Sequence, residues 1–124
     1  MPRRTAIGTR AQAQGLGAET TACAALEAEG WRILGRRLRT PAGEIDVVAE
    51  RAGLLAVVEV KRRPTLAEAA ASLSARQRAR LLAAAEILLA ANPDWGRAGI
   101  RFDVIVVDDA GQVRRIVDAF RQET

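Results

Sequence analysis

The chain has 124 residues, with 19 Lys plus Arg against 15 Asp plus Glu (net charge +4), one Cys, and neither His nor Tyr. Its length fits a single domain, able to bury about two thirds of its unfolded surface without a covalent staple. Cys23 has no partner for an internal disulfide, and the common zinc sets, His-based triads and His proton shuttles are all excluded, so any catalysis must rest on Asp, Glu, Lys, Arg, hydroxyls or a hard metal ion.

Residues 1–14 are polar and lack apolar periodicity, which predicts a flexible N-terminal arm before a single domain over 15–124. Arg3, Arg4 and Arg10 are followed by no apolar core, unlike a secretory signal. From Leu16 to Glu29, Ala22, Cys23 and Leu26 keep helical spacing, and Gly30 is a stop. Trp31 to Arg39 alternates weakly and ends at the turn Pro41-Ala42-Gly43. Glu44 to Glu50 reads as a strand, and the Arg51-Ala52-Gly53 turn leads into a second β-rich run, Leu54 to Lys61. A polar stretch from Arg62 contains Pro64. After it, Ser74 to Ala91 shows a long helical pattern with Leu81, Ala84, Ala85, Leu88 and Leu89 on one side, closed by Asn92-Pro93. Ile100 to Val107 is another strong strand, Asp108-Asp109-Ala110-Gly111 a turn, and Val113 to Val117 a last short strand. The order is α-β-β-β-α-β-β. It predicts an α/β fold with a mixed central sheet flanked by helices. No apolar run reaches the ~18–20 residues that span a bilayer, so a soluble, cytoplasmic protein without a membrane partner is expected.

Side chains alternate along Leu54–Lys61, so Leu55, Val57, Glu59 and Lys61 share one face and Leu54, Ala56, Val58 and Val60 the other. Both faces are apolar until Glu59 and Lys61, the pattern of a central strand interrupted near its end. In the preceding strand the same alternation puts Glu44, Asp46 and Val48 on one face and Ile45, Val47 and Ala49 on the other. Antiparallel pairing through the Arg51-Ala52-Gly53 turn brings position 46 near position 59. An ordinary ion pair at a strand end would account for Glu59 and Lys61 alone. Asp46 argues for more, because a carboxylate in an apolar strand needs a cation or donors to stay charged. Lys61 argues likewise: 18 of the 19 basic residues are Arg, and the one Lys falls here. Lysine is a compact point charge whose pKa shifts on burial, whereas Arg does not give up its proton. Glu19 lies on the apolar stripe of the first helix. It admits two readings, a member of this cluster or a carboxylate welcomed by a helix's first turn.

Grouped carboxylates without His or thiolate form the ligand set of a hard cation, Mg²⁺ or Mn²⁺. Such an ion polarises a phosphoryl oxygen and lowers the pKa of water, while Lys61 could orient that water or neutralise charge on the phosphate. Asp46, Glu59 and Lys61 therefore point to phosphodiester hydrolysis.

Gly43-Glu44-Ile45-Asp46-Val47-Val48 and Val58-Glu59-Val60-Lys61-Arg62 resemble the Asp…Glu-x-Lys core of the PD-(D/E)XK nuclease superfamily. More closely, they resemble the YraN-like family of bacterial proteins, similar to Holliday-junction resolvases. Gly17-Ala18-Glu19, Arg101-Phe102-Asp103-Val104 and Asp118-Ala119-Phe120 add matches, so the resemblance covers about Gly15 to Phe120. It implies a restriction-endonuclease-like fold, with Asp46 and Glu59 as metal ligands and the Val60 carbonyl as a third. Lys61 matches the catalytic Lys and Glu19 the additional N-terminal acid. Relatives often place a Lys early in the long helix, where this chain has Gln77 flanked by Arg76, Arg78 and Arg80.

The expected function is a divalent-metal-dependent endonuclease hydrolysing DNA, with branched or damaged DNA as candidate substrates. The alternative is a catalytically silent module of nuclease-like fold that binds nucleic acid or a protein partner. The resemblance also leaves room for a homodimer. Arg62, Arg63, Arg76, Gln77 and Arg80 are candidates for nucleic-acid contact, through salt-dependent pairing of the arginines with phosphates; a solvated helix face would explain the helical ones equally. Trp31 and Trp95 read as core or rim, Asp103 as structural, and Asp108-Asp109 as a turn.

Overall fold

The computed structural model describes residues 10–66 and 73–120, with side chains from Gly17 onward. Two helices and five strands follow the expected order: α1 (Arg10–Ala28), β1 (Arg32–Thr40), β2 (Gly43–Arg51), β3 (Leu54–Arg62), α2 (Ala75–Ala91), β4 (Gly99–Val107) and β5 (Val113–Phe120). The strands form one sheet in sequence order, β1-β2-β3-β4-β5. Every neighbouring pair is antiparallel except β3 and β4, which run parallel. A parallel pair needs a long crossover, and α2 supplies it.

The helices cover opposite faces. Ala18, Ala22, Cys23 and Leu26 of α1 pack on Val47, Ala49, Ala56, Val58, Ile105 and Val107, with Trp31 in the same layer. Leu81, Ala84 and Ala85 of α2 pack on Ile45, Val48, Leu55, Val57, Phe102, Val104 and Val106. Strand β3 is thus buried on both sides, as its unbroken apolar run requires. Leu26 is completely buried, and its truncation to Ala would cost about 2–5 kcal/mol.

Local chemistry sets the ends of the helices. Gly30, at φ +90°, stops α1 where Trp31 N–H returns to the Leu26 carbonyl at 3.1 Å, a left-handed termination that favours glycine. At the start of α2, Ser74 Oγ accepts the Gln77 N–H at 3.1 Å and Gln77 Oε1 accepts the Ser74 N–H at 2.8 Å. This is a capping box.

Three details depart from the sequence reading. Helix α1 begins at Arg10, inside the stretch read as an arm; residues 1–9 of that arm lie outside the described residues. Strand β5 extends past Val117 to Phe120. It does so through a register shift opposite Asp103, with Asp118 at φ +57° and its N–H donated to Asp103 Oδ1 at 2.9 Å. Phe120 then stacks on Phe102, ring centroids 4.6 Å apart. The third departure concerns β2. Ile45 joins Val48 on the α2 side, whereas Val47 and Ala49 face α1, so the strict alternation expected of this strand slips at Asp46. Opposite the slip, Arg37 of β1 adopts φ +52°, and the two strands bend together.

Candidate active site

The β2–β3 ladder is regular from Arg51↔Leu54 up to Val47↔Val58. One step further, where Asp46 would face Glu59, the main-chain pairing ends and the strands part. Strand geometry shows what fills the opening. Alternate residues of a strand direct their N–H and C=O to opposite neighbours, and the Arg63 N–H reaches the Val107 carbonyl of β4. Val60 therefore directs both backbone groups toward β2. Its N–H is taken by Asp46 Oδ2 at 2.8 Å, which leaves its carbonyl facing the opening beside the same carboxylate.

Asp46 and Glu59 are within hydrogen-bonding reach of one another. Burial pushes the Asp46 carboxyl above its ordinary range; the Val60 N–H pulls it back in part, and the charge of Glu44 adds to the rise. Burial, and then the negative charge of Asp46, push Glu59 up to about 7, against the opposing charges of Lys61 and Arg80. Both carboxyls are thus raised, and the pair resists carrying two negative charges at once. Two half-buried carboxylates forced together are what a divalent cation relieves.

Glu19 lies on the α1 side, near enough to feel the charge of Asp46. It is 8% exposed and its Oε1 lacks a hydrogen-bond partner, with Arg36 Nη2 at 3.9 Å. Burial raises its pKa first, and the charge of Asp46 second. Lys61 lies on the α2 side with Glu59, and its ammonium favours the ionised form of Glu59. Among the described residues no group of three or more His, Cys, Asp or Glu closes on one point. The donors that fit a hard ion are the Asp46 and Glu59 carboxylates with the Val60 carbonyl, all oxygen.

The basic residues singled out from sequence divide. Arg80, on α2, brings Nη2 to 3.8 Å from Glu59 Oε2 and so belongs to the site. Arg76 is exposed. Arg62 pairs with Asp109 at 2.7 Å, and the Arg63 guanidinium donates to the Arg62 carbonyl at 2.9 Å. Gln77 spends its side-chain carbonyl on the capping box, which gives it a structural task that a Ser-x-x-Gln spacing already encodes.

Two further features surround the site, of which the close approach of Gly43 to Arg80 was outside the sequence reading. Gly43, at φ +144°, lies so close to Arg80 that a Cβ there would stand 2.7 Å from Cγ and Cδ. On the α1 side, Asp103 is 1% exposed and accepts two bonds from Arg101, at 2.9 and 3.0 Å, and one from Arg115, at 3.2 Å. The Arg101 and Arg115 guanidiniums also lie over the ring of Trp31. This confirms Asp103 as structural and Trp31 as core; the Arg101-x-Asp103 spacing, which puts both side chains on one strand face, is the signal for it. A cavity of about 450 Å³ between α2 and the β4–β5 strands, lined by Leu89, Phe102 and Phe120 among others, contains none of the cluster residues.

Residues 18–107, a span holding every member of the cluster, match the family described as "Uncharacterised protein family UPF0102". The chain belongs to this family. A UPF0102 protein of Granulibacter bethesdensis is 67% identical over 114 residues, covering 92% of this chain and 72% of that protein. UPF0102 proteins of Azorhizobium caulinodans, 51% identical over 91% of this chain and 86% of theirs, and Acidiphilium cryptum, 46% identical over 98% and 94%, extend the likeness. Among the described residues no helix of this UPF0102 chain is long and apolar enough to cross a membrane.

Proposed function

We propose that this UPF0102 protein is a divalent-metal-dependent nuclease of the PD-(D/E)XK type, similar to the YraN-like proteins, that hydrolyses DNA phosphodiester bonds in the cytoplasm. One observation carries the reading: Asp46 and Glu59 share a half-buried opening between parted strands, with the Lys61 charge beside them. A structural ion pair would place one carboxylate against one cation. Here two carboxyls are pressed together at a cost, and that cost is recovered when a cation binds between them.

Asp46, Glu59 and the Val60 carbonyl would hold Mg²⁺ or Mn²⁺. The ion would supply polarisation of a phosphoryl oxygen and a lowered pKa for water. Lys61 orients the attacking water or neutralises the charge that accumulates on the phosphate. Glu19 adds negative charge on the α1 side of the same opening. Arg80 and Arg76 attract the phosphate backbone. Branched or damaged DNA are the substrates the resemblance favours.

The test incubates the protein with single-stranded, duplex and four-way-junction DNA in Mn²⁺ or Mg²⁺. Cleavage that disappears in chelator and in Lys61→Ala supports the enzyme. Salt-sensitive binding without cleavage would instead make it a silent binding module. Absence of both cleavage and binding would overturn the reading.

A further inference from the structure

Helix α2 presents one guanidinium that its surroundings leave unfinished. Arg80 Nη2 stands 3.8 Å from Glu59 Oε2, beyond the ~2.7–2.9 Å of a formed charge-assisted hydrogen bond. Its Nε is buried without a partner, and the side chain remains 39% exposed. Arg115 also leaves Nε unpaired, but its two terminal nitrogens bond Glu29 and Asp103. Arg101 is held twice by Asp103. Arg80, by contrast, makes no hydrogen bond among the described residues, although its head lies beside a carboxyl pair.

That placement is built into the chain. The Arg80 stem runs past Gly43, at the start of β2, where any Cβ would come within 2.7 Å of Cγ and Cδ. A buried donor without an acceptor costs free energy, and the Glu59 carboxylate, 3.8 Å from Nη2, satisfies neither Nε nor the terminal nitrogens. An oxyanion arriving between Arg80 and the pair would give the terminal nitrogens an acceptor.

We propose that Arg80 binds the phosphate of the scissile diester, with Glu59 as its resting partner in the free protein. The proposal rests on the nuclease reading above and names the residue that brings substrate to that site. Asp46 and Glu59 repel a phosphodiester, so a cation must stand beside them for one to approach. A guanidinium is a planar fork whose parallel N–H groups match two phosphate oxygens and which stays protonated throughout. Lys61 offers charge without that fork. With the carboxylate charge balanced by a divalent ion, the loose pairing of Arg80 with Glu59 would be given up and its fork would be free for the phosphate.

Three measurements test this on Arg80→Ala, Arg80→Lys and, as a control at an exposed arginine paired only with Asp94, Arg97→Ala. They are Mn²⁺ affinity by calorimetry, affinity for a fluorescein-labelled duplex and four-way junction by anisotropy, and kcat and KM for cleavage. Arg80→Ala should weaken DNA binding about tenfold or more and raise KM accordingly, with Mn²⁺ affinity unchanged or tighter. Arg80→Lys should recover part of the loss, and Arg97→Ala should change binding by no more than about twofold. Wild-type DNA affinity in Arg80→Ala, full recovery by Lys, or an equal loss of Mn²⁺ affinity would overturn the proposal. If Arg80→Ala loses its circular-dichroism signature, Arg80→Lys decides. A wild type that binds and cleaves DNA alongside an unaffected Arg80→Ala removes only the role of Arg80. A wild type that does neither removes the nuclease reading, and the proposal with it.

Discussion

Asp46 Oδ2 accepts the Val60 N–H at 2.8 Å, a bond that an unbroken antiparallel ladder would give to a main-chain carbonyl. The carboxylate therefore has two tasks: it satisfies a backbone donor where β2 and β3 part, and it supplies half of the acidic pair. Substitutions separate them. Asp46→Asn keeps an oxygen for the Val60 N–H and removes a charge that Glu59 repels, so its stability should equal or exceed that of the wild type at pH 7.5. Asp46→Ala strands the donor and should be less stable than Asp46→Asn by about 1–3 kcal/mol. Urea denaturation measures the difference. Cleavage should be lost in both.

The raised pKa values of Asp46 and Glu59 set the sign of the pH dependence. The native protein holds protons more tightly than the unfolded chain, so stability falls as pH rises from the ordinary carboxyl range through about 7, the value for Glu59. One group contributes a slope of at most about 1.4 kcal/mol per pH unit. Denaturation midpoints between pH 4.5 and 8 should decline and then level off, and Glu59→Gln should flatten the decline. Mn²⁺ should stabilise the fold more at pH 7.5 than at pH 5.5, because it competes with the proton held by the pair.

Lys61 opposes the rise at Glu59. Lys61→Met should therefore move the Glu59 titration further up, as read from its side-chain carboxyl resonance by NMR, while cleavage disappears. A Glu59 titration that stays in place would show the ammonium directed away from the pair.

Counting across the Arg51-Ala52-Gly53 turn is enough to bring 46 opposite 59, because hairpin register follows from turn length. The element order is legible too, since each apolar run has a clear period and Gly or Pro punctuation. Other features depend on partners distant in sequence. Ile45 changes face because Asp46 leaves the ladder and Arg37, on another strand, bends with it. Arg80 meets Glu59 only because the crossover lays α2 over β2 and β3, a placement periodicity does not specify. Strand β5 runs on to Phe120 because Asp103 captures the Asp118 N–H, and a five-residue β-pattern ending at Val117 carries no trace of that bond. Gln77 is different: its capping role is local and readable from Ser74.

Gly43→Ala tests the packing that holds Arg80. The new methyl would need Arg80 Cγ and Cδ to retreat from 2.7 Å, at a φ that side chains rarely adopt. The expected cost is about 1–3 kcal/mol of stability. DNA affinity should fall toward that of Arg80→Ala, and combining the two substitutions should lower affinity little further, because both act through one side chain.

Asp103 lies outside the site and should affect only the scaffold. Its buried carboxylate, fully enclosed as a side chain, balances Arg101 and Arg115 and holds the Asp118 N–H. Asp103→Asn leaves two largely buried guanidiniums facing a neutral amide, and removing one partner of such a group costs about 3–5 kcal/mol. For a domain of this size that corresponds to a fall in Tm of about 10 °C or more. The loosened end of β5 should appear as faster hydrogen exchange at Asp118, and the Phe102–Phe120 stack should weaken with it. Below the lowered Tm, Mn²⁺ and DNA affinities should match the wild type, since Asp103 faces α1 while Glu59, Lys61 and Arg80 meet on the α2 side. A variant with wild-type Tm and impaired Mn²⁺ binding would place Asp103 in the site instead of the scaffold.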